Sequence, residues 1–429
     1  MSSIVEVSLN EGQVLRVFGP AKADVVAGMV LVVGSKYSAG SSFVVHRLRS
    51  YGVKALSPAK LRFALGEGSQ VEIARESEEV VDEWLKVSEH VLRTCLEKEC
   101  RVLVVGPPES GKSTFTAFLA NYLRESRVRV GVVEGDVGQE DILVPTAIAL
   151  AEVSKPVLWL RELEPILFKF VGCTSPQYCY SESILAIREL VDEGVNLGLK
   201  AILVNTDGWV NTASGIEHKL TIIRWIKPDV VVAMDKEVYS YLLKCANSLT
   251  NVIYAPRPAV VRVRNKEERR ELRTQAYRRY FSKGKVRRVK LESVGILNAC
   301  ALSGLSVSRE ELLESFKVPD NELEKIVYST KIGDTLYLIS REPLNITLDS
   351  EGVSRVVVIT PKDARGTLVG LLGERMREVG IGVVTELDLS TQELAILTPW
   401  EGGIRGLIIG KIKLSEDLEE VGRVARCTL

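Results

Sequence analysis

The sequence predicts an α/β protein: a doubly wound, mainly parallel sheet flanked by a small N-terminal β domain and a small C-terminal mixed α/β domain. Three observations carry that expectation. Apolar strand-like runs alternate with amphipathic helical runs from about residue 101 to 255, the pattern of βαβ units. The first 75 residues instead hold short runs rich in β-branched residues, broken by Gly, Ser and Pro. After about residue 290 the pattern changes again, to strands such as TLYLIS, SRVVVIT, GIGVVTELD, ELAILTP and GLIIGKI.

Taken in order, VLRVFG, VVAGMVLVVG, SSFVVHRL, KLRFAL and QVEIA read as strands of a β domain over 1–75, since such runs bounded by turn residues suit pleated, half-buried chain. A helix follows: Val80, Val81, Trp84, Leu85, Val87, Val91 and Leu92 recur with helical period among many charges. The second domain, 76–288, then runs RVLVVG, a helix over 112–125, VRVGVVEG, a helix over 180–194, KAILVNT, a helix over 217–226, DVVVAM, a helix over 236–248 and NVIYAP. A basic helix is expected at about 266–281, and 289–429 forms the third domain. Ligands of such a sheet belong at the carboxyl ends of its strands.

Composition narrows the class. The chain has 429 residues, 46% hydrophobic and 26% charged, with 56 basic and 56 acidic side chains. Those values suit a multidomain globular protein whose nucleic-acid binding, if any, comes from local clustering of charge. Seven Cys at irregular positions and three His argue for reduced thiols in a cytoplasmic protein. Neither the Cys95 and Cys100 pair nor the Cys173 and Cys179 pair has the CxxC spacing of a zinc site. The N-terminus lacks the basic and apolar regions of a signal peptide, and no apolar run is long enough to span a bilayer.

GPPESGKS at 106–113 fits G-x-x-x-x-G-K-[ST], and it follows an apolar strand and opens a helix, the context that the motif needs. Gly106 and Gly111 let the loop of Pro107, Pro108, Glu109 and Ser110 wrap phosphates at the positive end of the helix. Lys112 can reach the β and γ oxygens, the Ser113 hydroxyl can ligate Mg²⁺, and Thr114 continues the motif. Phe115, Phe118, Leu119, Tyr122 and Leu123 give the helix a core-facing side. The fold is therefore that of a P-loop NTPase, binding a nucleoside triphosphate, ATP by expectation.

Asp136 closes the next strand, in GDVGQ, on the same sheet edge as Lys112 and Ser113. Three readings of it stand: a turn residue, a metal ligand, or the base that takes the proton of an attacking hydroxyl. Glu134 shares its strand parity but lies deeper. TSPQ, 174–177, is a loop offering a hydroxyl and an amide, and VNTDGW, 204–209, sets Trp209 beyond a buried strand. Residues 257–290 hold fourteen Lys and Arg against three Glu, concentrating the positive charge of a neutral chain.

GPPESGKST, GDVGQ, GCTSPQ, VNTDGW and the Arg-rich helix near 270, in this order and spacing, resemble the polynucleotide 5′-hydroxyl kinases that include the pre-mRNA cleavage-complex kinase and the nucleolar pre-rRNA-processing kinase. The resemblance spans nearly the whole chain, and GIGVVTELDLSTQELAILTPWEGGIRGLIIGKIKL looks more like the rRNA-processing branch. It implies transfer of the γ-phosphate of ATP, with Mg²⁺, to the 5′-hydroxyl of RNA and single-stranded DNA, among RNA-processing protein partners. It implies that Thr174 and Gln177 clasp an acceptor phosphate, with Gln139 also on the substrate side. Trp209 would stack on the acceptor base. Arg273 and Arg278, with Arg270 in reserve, would form a lid over the transferring group, although five residues do not put two side chains on one helical face. Glu11 and Arg49 are the nearest matches to the family's adenine contacts. The rival reading is an ATP-bound scaffold of an RNA-processing complex that transfers little phosphate.

Overall fold

The computed structural model describes residues 3–75, 78–259, 264–346 and 352–424. Residue 76, where the second domain is expected to begin, and residues 260–263 of the basic run fall outside them. The chain forms two compact units, Met1–Lys169 with Ser175–Arg269, and Phe170–Thr174 with Arg270–Leu429.

The first unit contains two β-sheets of the N-terminal segment, four- and five-stranded, and the central seven-stranded sheet. Across the central sheet the strands run Leu167–Phe170, Ala147–Glu152, Val130–Gly135, Ala201–Thr206, Cys100–Val105, Val230–Ala233 and Asn251–Tyr254. The five from Val130–Gly135 to Asn251–Tyr254 pair in parallel. Their near-continuous Val and Ile content follows from burial on both faces: Val102 to Val105 are fully enclosed. Ala147–Glu152 runs antiparallel to Val130–Gly135, so the sheet is mainly and not wholly parallel. That strand reads AIALAE, an Ala-rich run with little β-branched signal.

Helix α1 (Val81–Glu97) and helix α2 (Lys112–Glu125) meet through Trp84, which stands edge-on to Phe115 and Phe118 at 5.3 and 5.5 Å. Helices α3 (Tyr180–Asn196), α4 (Ala213–Ile226) and α5 (Lys236–Ala246) complete the layers. Helix α4 starts four residues earlier than its apolar period suggests, because Thr212 caps it by accepting the Gly215 N–H. The N-terminal sheets are fastened to α2 by Asn121, which donates to the Val33 and Val157 carbonyls, each at 2.7 Å.

One expectation is overturned. Cys95 of α1 and Cys100 at the head of the P-loop strand form a disulfide with Cα atoms 5.0 Å apart, so the thiols are not uniformly reduced. The irregular spacing hid a pair that the helix-to-strand turn brings together.

The second unit holds a seven-stranded sheet in which Lys285–Lys290, Glu393–Thr398, Glu378–Asp388, Thr367–Leu372, Gly406–Leu414 and Gly295–Leu297 follow one another, with Glu420–Arg423 paired to Gly406–Leu414. A four-stranded sheet lies beside it in sequence, over residues 305–359. Helix α6 (Lys266–Phe281) begins in the first unit and continues in the second, where Leu272, Ala276, Tyr277 and Phe281 are buried. The end of the basic run, Lys285–Lys290, is a strand and not helix. Among the described residues no helix is long and apolar enough to cross a membrane.

Candidate active site

The P-loop strand ends at Val105 and α2 begins at Lys112, with Gly111 between them at φ +92°, a left-handed conformation open to glycine at no steric cost. No acidic side chain stands in the first turn of α2, so the positive helix end is left to an anion. Ser110 Oγ is buried without a hydrogen-bond partner among the described residues, and Lys112 Nζ donates to the Pro107 carbonyl at 2.9 Å. Burial depresses the Lys112 ammonium pKa, against the pull of Asp136 and Asp207. An enclosed Lys, an orphaned hydroxyl and an uncapped helix start fit a polyphosphate.

Strand register builds the next layer. Glu134 and Asn205 are paired positions on adjacent parallel strands, so both side chains rise from the same face. Asn205 Nδ2 lies 2.8 and 2.9 Å from the two Glu134 oxygens and 3.1 Å from Ser113 Oγ. Burial, then the nearby acids Asp141, Glu140 and Asp136, push the Glu134 carboxyl well up.

Of the three readings of Asp136, the turn is the one its hydrogen bonds display. Its Oδ1 accepts the Gly138 and Gln139 N–H groups, each at 3.0 Å, and that bond pair makes the turn. Its Oδ2 accepts no hydrogen bond among the described residues. Burial and then Asp207 raise the Asp136 pKa, against Lys112 and the two N–H donors.

Lys112, Ser113, Thr114, Asp136 and Gln139 line one cavity of about 250 Å³ in the first unit. Its far wall comes from Trp84 and from the N-terminal sheets, through Arg16, Arg49 and Tyr51. Glu11 is exposed and absent from that wall, whereas Arg49 is buried in it. Arg49 lies 3.0 Å from Asp141 and 4.2 Å above the Trp159 ring. Burial works to raise the Asp141 pKa, yet Arg49, Arg161 and Arg264 together hold it below the usual carboxylate range.

Two arginines that sequence reasoning passed over, Arg264 and Arg269, also line the cavity. Arg269 pairs with Glu109 of the P-loop at 3.2 Å. Their signal was present in the basic run, but Glu109 gave no hint of which arginine it would meet. Asn205 was likewise visible in VNTDGW without a partner to define it.

Trp209 sits on a braced loop. A side chain on Gly208 would come within 2.7 Å of the Pro108 backbone nitrogen, so the loop packs directly on the P-loop. The Trp209 N–H donates to Asp207 at 2.8 Å, and Lys219 Nζ lies 2.5 Å from the other Asp207 oxygen. The Trp209 ring is 5.7 Å from His218, itself fully buried. Gln177 is exposed on the turn Pro176–Tyr178 of the first unit.

Thr174, Arg270, Arg273 and Arg278 belong to the second unit. There Arg273 Nε lies 3.1 Å from Glu420, Arg278 Nε donates to the Asp417 carbonyl at 3.1 Å, and Arg270 reaches Glu419 at 3.4 Å. Five-residue spacing therefore does not stop Arg273 and Arg278 from meeting one acidic stretch, Asp417 to Glu420.

Residues 106–283 match the family model described as the mRNA cleavage and polyadenylation factor CLP1 P-loop. The polyribonucleotide 5′-hydroxyl-kinase of Methanocaldococcus jannaschii is 30% identical over 339 residues, covering 77% of this chain and 91% of that protein. The chain belongs to the Clp1 P-loop family. The kinase of the same description from Pyrococcus furiosus is 30% identical over 343 residues, 77% of this chain and 92% of that one. The Xenopus tropicalis polyribonucleotide 5′-hydroxyl-kinase Clp1 is 26% identical over 328 residues, 71% and 68% of the two chains. The fold of Clp1p in its complex with Pcf11p superposes with a TM-score of 0.67 at 15% identity, over 96% of this chain and 98% of that one. The span matched by the Clp1 model holds Lys112, Asp136, Thr174, Trp209 and Arg273. Arg49, Trp84 and Glu420 lie outside it.

Proposed function

We propose that the chain is an ATP-dependent polynucleotide 5′-hydroxyl kinase, acting on RNA and on single-stranded DNA with a 5′-hydroxyl end. The observation that carries this reading is the convergence of Lys112, Ser113 and the unengaged Oδ2 of Asp136 on one cavity. The names of the archaeal relatives, polyribonucleotide 5′-hydroxyl-kinases, point the same way.

In this reading the P-loop and Lys112 hold the β and γ phosphates of ATP, with Trp84 and the buried Arg49 on the nucleoside side. Asp136 Oδ2 takes the proton of the acceptor 5′-hydroxyl as its oxygen bonds to the γ phosphorus and the bond to the ADP oxygen breaks. A raised pKa suits that task, because a base with a higher affinity accepts the proton more readily. Ser113 and Asp136 would hold a divalent cation, which when bound neutralises charge on the phosphate oxygens. Among the described residues no group of three or more His, Cys, Asp or Glu could hold a metal by itself; the few protein ligands suit Mg²⁺, which keeps waters and leans on substrate phosphates. Trp209 offers a face for the acceptor base, Gln139, Thr174 and Gln177 grip its backbone, and Arg273 with Arg278 stabilise the transferring phosphoryl group. Arg269 is a further cation, on the wall of the ATP cavity in the first unit.

The experiment is incubation with γ-labelled ATP and 5′-hydroxyl RNA, DNA and free nucleosides. Label on oligonucleotides alone is the expected result. ATP binding with no labelled acceptor would replace this reading by that of an ATP-bound scaffold.

A further inference from the structure

The second unit carries an acidic turn between the strands Gly406–Leu414 and Glu420–Arg423. The turn is well tied: Ser415 N–H donates to the Glu419 carbonyl at 2.8 Å, Leu418 N–H to the Ser415 carbonyl at 3.0 Å, and Glu419 N–H to Ser415 Oγ at 3.1 Å. Glu420, the first residue after it, is therefore fixed in place. Thr174 is fixed by the same sheet, because the Gly172 carbonyl accepts the Lys411 N–H at 2.7 Å. Thr174 Oγ1 donates to Glu420 Oε1 at 3.3 Å, and Arg273 Nε donates to Glu420 Oε2 at 3.1 Å. One carboxylate thus spans a hydroxyl and a guanidinium, from two distant stretches of chain.

That is how a phosphodiester would be held, each of two oxygens taking a directed hydrogen bond and one of them charge-assisted. The attachment of α6 to the turn does not rest on Glu420 alone, since Arg278 reaches the Asp417 carbonyl and Arg270 reaches Glu419. The remaining Arg273 nitrogens find no acceptor among the described residues, although the side chain is only 22% exposed. A partly enclosed guanidinium with spare donors can take an anion with more oxygens than a carboxylate has.

We propose that Thr174 and Arg273 form a single phosphate site for the acceptor strand, which moves Arg273 from the transferring phosphoryl group to the acceptor and leaves Arg278 in the first role, and that Glu420 is the internal occupant of that site, displaced when a polynucleotide binds. The inference rests on the kinase reading for the identity of the ligand, and it gives that reading a selectivity device. An acceptor must bring a phosphodiester able to outcompete the Glu420 carboxylate, so a free nucleoside, which has none, leaves the site closed. Self-occupancy lowers the apparent affinity by the fraction of molecules in which the site is open.

The test is the affinity of the full chain for a fluorescent 5′-hydroxyl RNA oligonucleotide, by anisotropy without ATP. Glu420→Gln keeps shape and removes the charge, and it is expected to bind about fivefold tighter or more. Glu416→Gln removes a charge from the same turn where the side chain meets Arg365 instead, and it is expected to stay within about twofold of wild type. Thr174→Val added to Glu420→Gln is expected to cancel most of the gain. No gain in Glu420→Gln, or an equal gain in Glu416→Gln, would overturn the proposal. Should Glu420→Gln fail to melt cooperatively, Glu420→Asp takes its place, with a smaller gain expected and none as the contrary result. Where wild type labels oligonucleotides, Glu420→Gln is expected to lower KM for the acceptor with kcat little changed. Absence of labelling by wild type would sink the kinase reading and leave the anisotropy result to judge the site.

Discussion

Lys219 Nζ lies 2.5 Å from Asp207 Oδ2, with Lys219 fully buried and Asp207 4% exposed. This pair stands under the loop that carries Trp209, and the other Asp207 oxygen holds the Trp209 N–H. A buried ion pair is costly to break from one side, because the charge left behind has no water. Lys219→Met is therefore expected to lower unfolding free energy by about 3 kcal/mol or more, read from urea denaturation. Lys219→Met with Asp207→Asn is expected to regain part of that loss, since no lone charge remains. A single variant as stable as wild type would mean that the pair is not formed.

His218 touches the same network, 3.1 Å from Ser183 Oγ and 3.2 Å from Lys219 Nζ. Burial first, then the Lys219 charge, lower its pKa from 6.5 to about 4. The folded protein thus refuses a proton that the unfolded chain accepts over that interval, and stability rises with pH across it. The contribution is fully present above 6.5 and lost as pH falls toward 4, by about 3 kcal/mol in all. Denaturation midpoints at pH 7 and pH 5 check this, with His218→Gln expected to lose less stability on acidification than wild type. Equal acid losses in both proteins would contradict it.

The Cys95–Cys100 disulfide closes a loop of five residues' separation, for which chain entropy gives about 2 kcal/mol. Cys95→Ser with Cys100→Ser is expected to be less stable by roughly that amount, and wild type under reductant is expected to follow it. Wild type that responds to reductant no more than the double variant would show the thiols already free.

Much of the fold was legible because its signals are local. Alternating apolar strands and amphipathic helices, and the Gly-rich turn before Lys112, declare themselves within short windows. Ala147–Glu152 did not, since AIALAE suits helix as readily as strand and only its place beside Val130–Gly135 decides the matter. Lys285–Lys290 was hidden in a charged run whose strand state comes from pairing with Glu393–Thr398, over a hundred residues on. The site divides in the same way. Lys112 and Ser113 open the helix after the P-loop strand, and Asp136 follows the end of the next strand, so topology could place all three on one sheet edge. The partner of Asn205 depends on the register of two strands, and Arg49 reaches Asp141, 92 residues on, from the turn ahead of the strand Ser50–Ala55. Contacts of that range are set by packing and leave no periodicity to read.

Single-turnover transfer from γ-labelled ATP to a 5′-hydroxyl RNA tests most directly the proposed role of Asp136 Oδ2 as acceptor of the 5′-hydroxyl proton. Asp136→Asn is expected to slow transfer by about 10²- to 10⁴-fold while ATP still binds, and wild-type rates are expected to fall with acid at a pH above the usual carboxylate range. Transfer by Asp136→Asn at a rate near that of wild type would contradict the account.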